Sequence, residues 1–270
     1  MGSLINRLLT VLVEEDLNST NYHIAMTLLE NIDIIYTLSI GNVAKLCNVS
    51  KSTLSKFCRE IGFEDYYEFK DASKFKDNRY DNQFSYNHNV MKFIETHSFD
   101  DYMENILTDI NLLTYNINQI KIDQLAKDIV AYKHVAAFGL LYSETAAIDL
   151  QTKLAYNKKF IFTSINDVKQ HEYIVNAQED TLIIIFSHSG NYLLKYQFME
   201  GNVPKNIFDK TKAKIVVITS NEDLINNPRA DYCISYPNVS NTTTHSVLYP
   251  IITDYITLRY RYFMNYTNKG

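Results

Sequence analysis

The chain has 270 residues, of which 46% are apolar and only 7 are Gly and 4 Pro. That is enough for one or two packed cores, and it excludes wholesale disorder and a linker-rich all-β architecture. A net charge of -5 excludes a uniformly basic nucleic-acid coat but leaves a local basic patch open.

The first segment, MGSLINRLLTVLVEEDL, places Leu4, Leu8 and Leu12 at helical spacing, with Arg7 interrupting the apolar run. An amphipathic helix follows from this, with a dimer contact as one use for it. No stretch is long enough to span a bilayer and no cleavage pattern follows the helix, so a cytoplasmic protein without a membrane partner is expected. Residues 1–76 read as short helices only. Asn18, Ser19 or Thr20 caps a helix running to about Glu30, and a short helix lies around Asp33–Tyr36. Ser39 caps a helix through Cys47, and Ser50 caps one ending at Gly62. DYYEFKDASKFK forms the last.

Residues 77–100 lose periodicity and gain Asn, Asp and Ser, which marks a linker; VMKFI within it is apolar enough to dock on a neighbour. From Asp101 the pattern changes. Two helices, near 101–117 and 121–132, precede five candidate strands at 134–139, 158–162, 181–187, 213–219 and 231–236. The third and fourth are almost wholly apolar, as strands covered on both faces must be. The expected fold is α/β. A small all-α helix-turn-helix domain (1–76) and a linker (77–100) precede a doubly wound, five-stranded parallel sheet (101–270) that ends in a helix with Pro250 in or near its first turn. Cys47, Cys58 and Cys233 lie far apart without pairing or zinc spacing, which suits a reducing compartment; no metal and no cofactor are expected.

Two stretches carry chemistry. From Ser39 to Arg59 there are four cations, Lys45, Lys51, Lys56 and Arg59, and no acid. In the second helix of that stretch Leu54, Phe57, Cys58 and Ile61 form the inward stripe. This leaves Lys51, Ser52, Thr53, Ser55, Lys56 and Arg59 as candidate contacts to a double-stranded DNA operator, since hydroxyls meet base edges or phosphates and cations neutralise the backbone. A solvated helix in a bundle carries the same pattern. The run SIGNVAKLCNVSKSTLSKFCREIGFEDYYEFKDA resembles the N-terminal helix-turn-helix of RpiR-type regulators, with Val49, Ser50, Thr53, Phe57, Gly62, Phe63, Glu68 and Phe69 at matching places and Lys56 where the family has Arg. The resemblance implies sequence-specific DNA binding.

The second stretch is TLIIIFSHSGN (181–191), an apolar strand that stops in small hydroxyl side chains and a glycine. In an open α/β sheet such loops lie where ligands bind. Ser187, Ser189, Gly190 and Asn191 form one candidate site for a phosphate, and Gly139 with Ser143 forms a second loop at another strand end; helix capping is the plain alternative for each serine. Residues 101–270 resemble the sugar isomerase (SIS) domain that follows the helix-turn-helix in RpiR-type proteins. The likeness rests on Phe138, Gly139, Ser143, Lys153, Leu154, the S-x-S-G loop, Ala230 and Asp231. It implies a phosphorylated-sugar effector held by Ser143, Ser187 and Ser189. Leu141 replaces the family's second glycine, and Tyr192 replaces a Thr or Ser with a phenol bulky enough to fill part of the cradle.

The expected function is therefore a transcriptional regulator, a homodimer or homotetramer, whose phosphosugar site alters the spacing of two DNA heads through the 77–100 linker. The fused head favours sensing over turnover, so no enzyme is expected. The alternatives are a sugar-phosphate isomerase, with Glu144, His188 or His245 as proton carrier, and a ligand-blind oligomerisation scaffold.

Overall fold

The computed structural model describes residues 2–73, 90–194, 207–240, 242 and 245–267. Six helices come first: α1 (Gly2–Glu14), α2 (Thr20–Glu30), α3 (Ile32–Ile35), α4 (Ile40–Leu46), α5 (Lys51–Glu60) and α6 (Tyr66–Ala72). Their starts are set by side-chain caps: Ser19, Ser39, Ser50 and Asp65 each accept a backbone N–H three residues on. Such a cap is worth about 1 kcal/mol. Between α4 and α5 the turn uses Asn48 at φ 52°, a conformation Asn tolerates better than most residues. Gly62 at φ 90° closes α5, and the Phe63 N–H returns to the Cys58 carbonyl, a C-terminal lock that needs glycine's freedom. Leu4, Leu8, Ile24, Leu28, Ile35, Leu54, Phe57 and Phe69 share one core. Leu4, Leu8 and Val11 of α1 face this core, while Leu9 and Val13 of the same helix are exposed.

Residues 74–76, the end of the last expected head helix, and 77–89 of the expected linker lie outside the described residues. α7 (Lys92–Thr96) falls inside the segment read as linker, and α8 (Phe99–Asn116) begins at its end. Val90, from the VMKFI motif, is buried. The α/β part continues with α9 (Gln119–Ala131), β1 (His134–Phe138), α10 (Tyr142–Tyr156), α11 (Asp167–Asn176), β2 (Thr181–Phe186), α12 (Asn191–Leu194), α13 (Ile207–Lys210), β3 (Lys214–Thr219), β4 (Tyr232–Ser235) and α14 (His245–Thr267).

The four strands pair in parallel in the order β1-β2-β3-β4. The second expected strand, 158–162, is reduced to a parallel bridge of Phe162 to Ala136. Two backbone hydrogen bonds hold it to β1. It lies outside β1, and Phe160 is 81% exposed, so an edge segment with one face in water makes a bridge where a strand was expected. The segment follows β1 in the chain yet lies on the side of β1 away from β2. Strand order therefore reverses between β1 and β2, which is the switch point where open α/β sheets bind ligands.

Side-chain alternation divides the core in two. Val135, Ala137, Ile184 and Ile218 pack with α9, α10 and α14 on one face. Ala136, Phe138, Ile183, Ile185 and Val217 pack on the other with Ile174 of α11, Leu193 of α12 and Ile207 of α13. Among the described residues no helix is long and apolar enough to cross a membrane, and no cluster of His, Cys, Asp or Glu is placed to hold a metal ion.

Candidate functional site

α5 turns Leu54, Phe57 and Cys58 inward. Opposite them Lys51, Ser52, Lys56 and Arg59 are exposed, while Thr53 and Ser55 are half-buried. The six candidate contacts are therefore brought to one helix, but not all are equally available. Ser50 Oγ, already the cap acceptor for the Thr53 N–H at 3.1 Å, also lies 2.7 Å from Ser52 Oγ and 2.9 Å from Thr53 Oγ1. Lys56 pairs with Glu60 at 3.2 Å across an exposed i,i+4 step, an interaction worth only a few tenths of a kcal/mol. Lys51 lies over α4, close enough that a Cβ on Gly41 would stand 3.0 Å from its Cε. The result is a solvent-facing cationic helix with its own hydroxyl network at the N-terminus.

The two hydroxyl loops leave the same end of neighbouring strands, since Phe138 stands opposite Ile185. In the first loop a Cβ on Gly139 would collide with the Ser143 carbonyl, so this position requires glycine. Leu141 sits at φ 54°, ψ -119°, a region that L residues enter only under strain. Ser143 is buried, with its Oγ 3.5 Å from the Tyr249 hydroxyl. Glu144, next in the chain, is pushed up to about 7 by burial.

In the second loop the Ser187 hydroxyl accepts the Tyr192 N–H at 3.2 Å, and Ser189 accepts the Asn191 N–H at 3.4 Å. Gly190 takes φ 77° and packs where a Cβ would meet Leu224. The Asn221 side-chain amide donates to the Ser189 carbonyl at 3.0 Å. Tyr192 follows at the start of α12. It is buried, its ring faces Phe208, and its hydroxyl donates to Gln170 Oε1 at 2.7 Å. His188 Nδ1 lies 3.0 Å from both the Tyr236 hydroxyl and Ser220 Oγ. Burial lowers its pKa to about 4, so at neutral pH it is an uncharged hydrogen-bonding group. Tyr236 is in turn hydrogen-bonded to Tyr249, and burial pushes Tyr249 up to about 12. A continuous hydroxyl chain, Ser143–Tyr249–Tyr236–His188–Ser220, therefore links both loops through neutral groups. This arrangement suits recognition of an anion by hydrogen bonds. His245 opens α14, and its side chain lies outside the described residues.

Sequence reasoning missed the join between head and sheet. Arg7 is buried, with Nε 3.0 Å from Asp167 Oδ2 and its Nη1 donating to the Gly62 carbonyl at 2.9 Å. The guanidinium also lies 4.5 Å from the centre of the Phe63 ring. Asn6 and Thr10 donate to the Ile165 carbonyl, and Lys169 pairs with Glu14 at 2.8 Å. The signal was present in part: Asn6, Arg7 and Thr10 form a polar stripe at i, i+1 and i+4 on an otherwise apolar helix.

Residues 11–76 match the model of the rpiR-family helix-turn-helix domain. Among curated proteins, the chain is 26% identical over 177 residues to an HTH-type transcriptional regulator of Providencia stuartii, covering 64% of this chain and 61% of that one. It is 26% identical over 214 residues to another from Clostridium perfringens, covering 76% of this chain and 72% of the relative. The chain thus spans about three fifths of the first of these relatives. Among solved structures it resembles the Vibrio vulnificus NanR protein complexed with ManNAc-6P, with TM-score 0.51 and 12% identity over 98% of this chain and 94% of the other. The chain therefore carries an rpiR-family helix-turn-helix domain over residues 11–76, and its overall fold resembles that of the NanR protein.

Proposed function

We propose that the protein is a DNA-binding transcriptional regulator whose SIS-like domain senses a phosphorylated sugar. The observation that carries this is the exposed face of α5, where Lys51, Lys56 and Arg59 stand in solvent on a helix belonging to an rpiR-family domain. A capped helix with short hydroxyl side chains at its start and cations along its outer face is built to enter a major groove and neutralise phosphates. A dimer reading a two-fold operator is the natural assembly for such a head.

The ligand class is supported by the two neutral hydroxyl loops at the switch point, and by the ManNAc-6P carried by the NanR neighbour. Ser143, Ser187, Ser189, Gly190 and Asn191 are the groups assigned to it. Thermal shift with a panel of hexose and pentose phosphates, repeated on Ser189→Ala, tests the ligand. Footprinting of the purified chain on DNA flanking its own gene tests the head. A second reading, sugar-phosphate isomerisation, draws on Glu144, whose carboxyl is poised near neutrality beside the loops. Turnover of any of the same sugar phosphates, lost in Glu144→Gln, would favour it over sensing.

A further inference from the structure

Helix α11 touches both the head and the two hydroxyl loops. Asp167, the first residue of α11, holds Arg7 of the head. One turn on, Gln170 is fully buried and its amide donates to the Gly139 carbonyl at 2.9 Å and the Ser164 carbonyl at 2.6 Å. The same side chain accepts the Tyr192 hydroxyl. Gln170 is thus tied to both hydroxyl loops at once. Between the two, Val168 abuts the end of α5 so closely that a Cβ on Gly62 would come within 2.7 Å of its Cγ2.

We infer that α11 is the lever that couples the hydroxyl loops to the DNA-contact head, with Tyr192–Gln170 as its joint at the loops and Asp167–Arg7 as its joint at the head. The loops' role as a phosphosugar site rests on the reading above, but the mechanical link does not. α11 is one uninterrupted helix of ten residues, so its two joints share a single hydrogen-bonded backbone. The turn that bonds the Tyr192 N–H to Ser187 Oγ also aims the Tyr192 hydroxyl at Gln170, so a ligand that rearranges this turn pulls on or frees the helix. At the other end Arg7 grips the Gly62 carbonyl, the residue that terminates α5. The join is polar and holds a cleft of about 100 Å³ lined by Arg7, Glu14, Glu60 and Asp167. Such an interface separates docked and released states by a small free energy that ligand binding can bias. This route is direct and does not require the segment between α6 and α7.

Hydrogen–deuterium exchange on the full chain tests the lever without a ligand. Tyr192→Phe keeps the ring and removes the hydroxyl; it should speed exchange of peptides in α1 and at residues 60–66 by about fivefold or more, while α9 and β3 stay protected. Gln170→Met breaks the same joint and should give the same pattern. By reciprocity, Asp167→Asn should speed exchange across residues 186–194. Changes confined to the altered end in all three variants would overturn the lever. Glucose 6-phosphate and N-acetylmannosamine 6-phosphate, added to the wild type, address the site separately. A melting temperature unmoved by either contradicts the phosphosugar reading, whereas the exchange pattern alone decides on the lever.

Discussion

Arg7 and Asp167, 160 residues apart in the chain, meet across the join of head and sheet with Nε 3.0 Å from Oδ2, and both side chains are buried. A buried ion pair gains little over an apolar pair of the same size, but losing one partner leaves an uncompensated charge. Arg7→Met alone should therefore destabilise the chain by roughly 3–5 kcal/mol. Adding Asp167→Leu should recover most of that loss. Urea midpoints of the wild type, the single and the double variant check this; equal loss in single and double would show that the pair is worth its own burial.

Leu141 carries backbone strain where the chain enters α10. Its φ of 54° and ψ of -119° cost a non-glycine residue about 1–3 kcal/mol, and glycine's larger unfolded-state entropy takes back only about 0.5–1 kcal/mol. Leu141→Gly should raise stability by up to about 2 kcal/mol, read as a higher melting temperature.

Two buried groups oppose each other in pH. Glu144, at about 7 when folded, holds a proton that the unfolded chain releases near its ordinary 4.5. Its contribution to stability therefore falls as pH rises between those values. His188, at about 4 when folded, refuses a proton that the unfolded chain takes up near 6.5. Its contribution falls as pH drops through that window. Where the windows overlap the wild type should show a shallow dependence. Glu144→Gln should leave stability rising with pH, and His188→Asn should leave it falling. Denaturation midpoints at about pH 5 and about pH 6.5 separate the two.

Glu60 stands beside the proposed DNA face and holds Lys56 at 3.2 Å. Glu60→Gln frees that lysine and removes a charge that repels phosphate. Affinity for DNA should rise about two- to fivefold, the scale of an exposed pair. Fluorescence anisotropy measures it.

The parts of this molecule set by local chemistry were legible in its sequence. Ser39 and Ser50 announce their helices, and Ser19 is one of three candidates for its own, because capping depends on the next three residues alone. TLIIIF and KIVVIT are strands because only burial on both faces explains unbroken apolar runs. The sequence was less informative wherever distance in the chain decides. KKFIF has strand composition, but its place at the sheet edge leaves it one bridge. Tyr192 bonds to Gln170, 22 residues earlier, and nothing local to it names that partner. Arg7 read as a break in an apolar helix, and its meaning exists only once Asp167 and Gly62 are brought beside it.

The central claim is that the outer face of α5 contacts duplex DNA, and the salt dependence of binding tests it most directly. For a duplex selected from a random pool, the slope of log affinity against log salt counts the phosphates neutralised. Lys56→Ala and Arg59→Ala should each weaken binding and reduce that slope by about 1. Wild-type affinity and an unchanged slope in both variants would contradict the account.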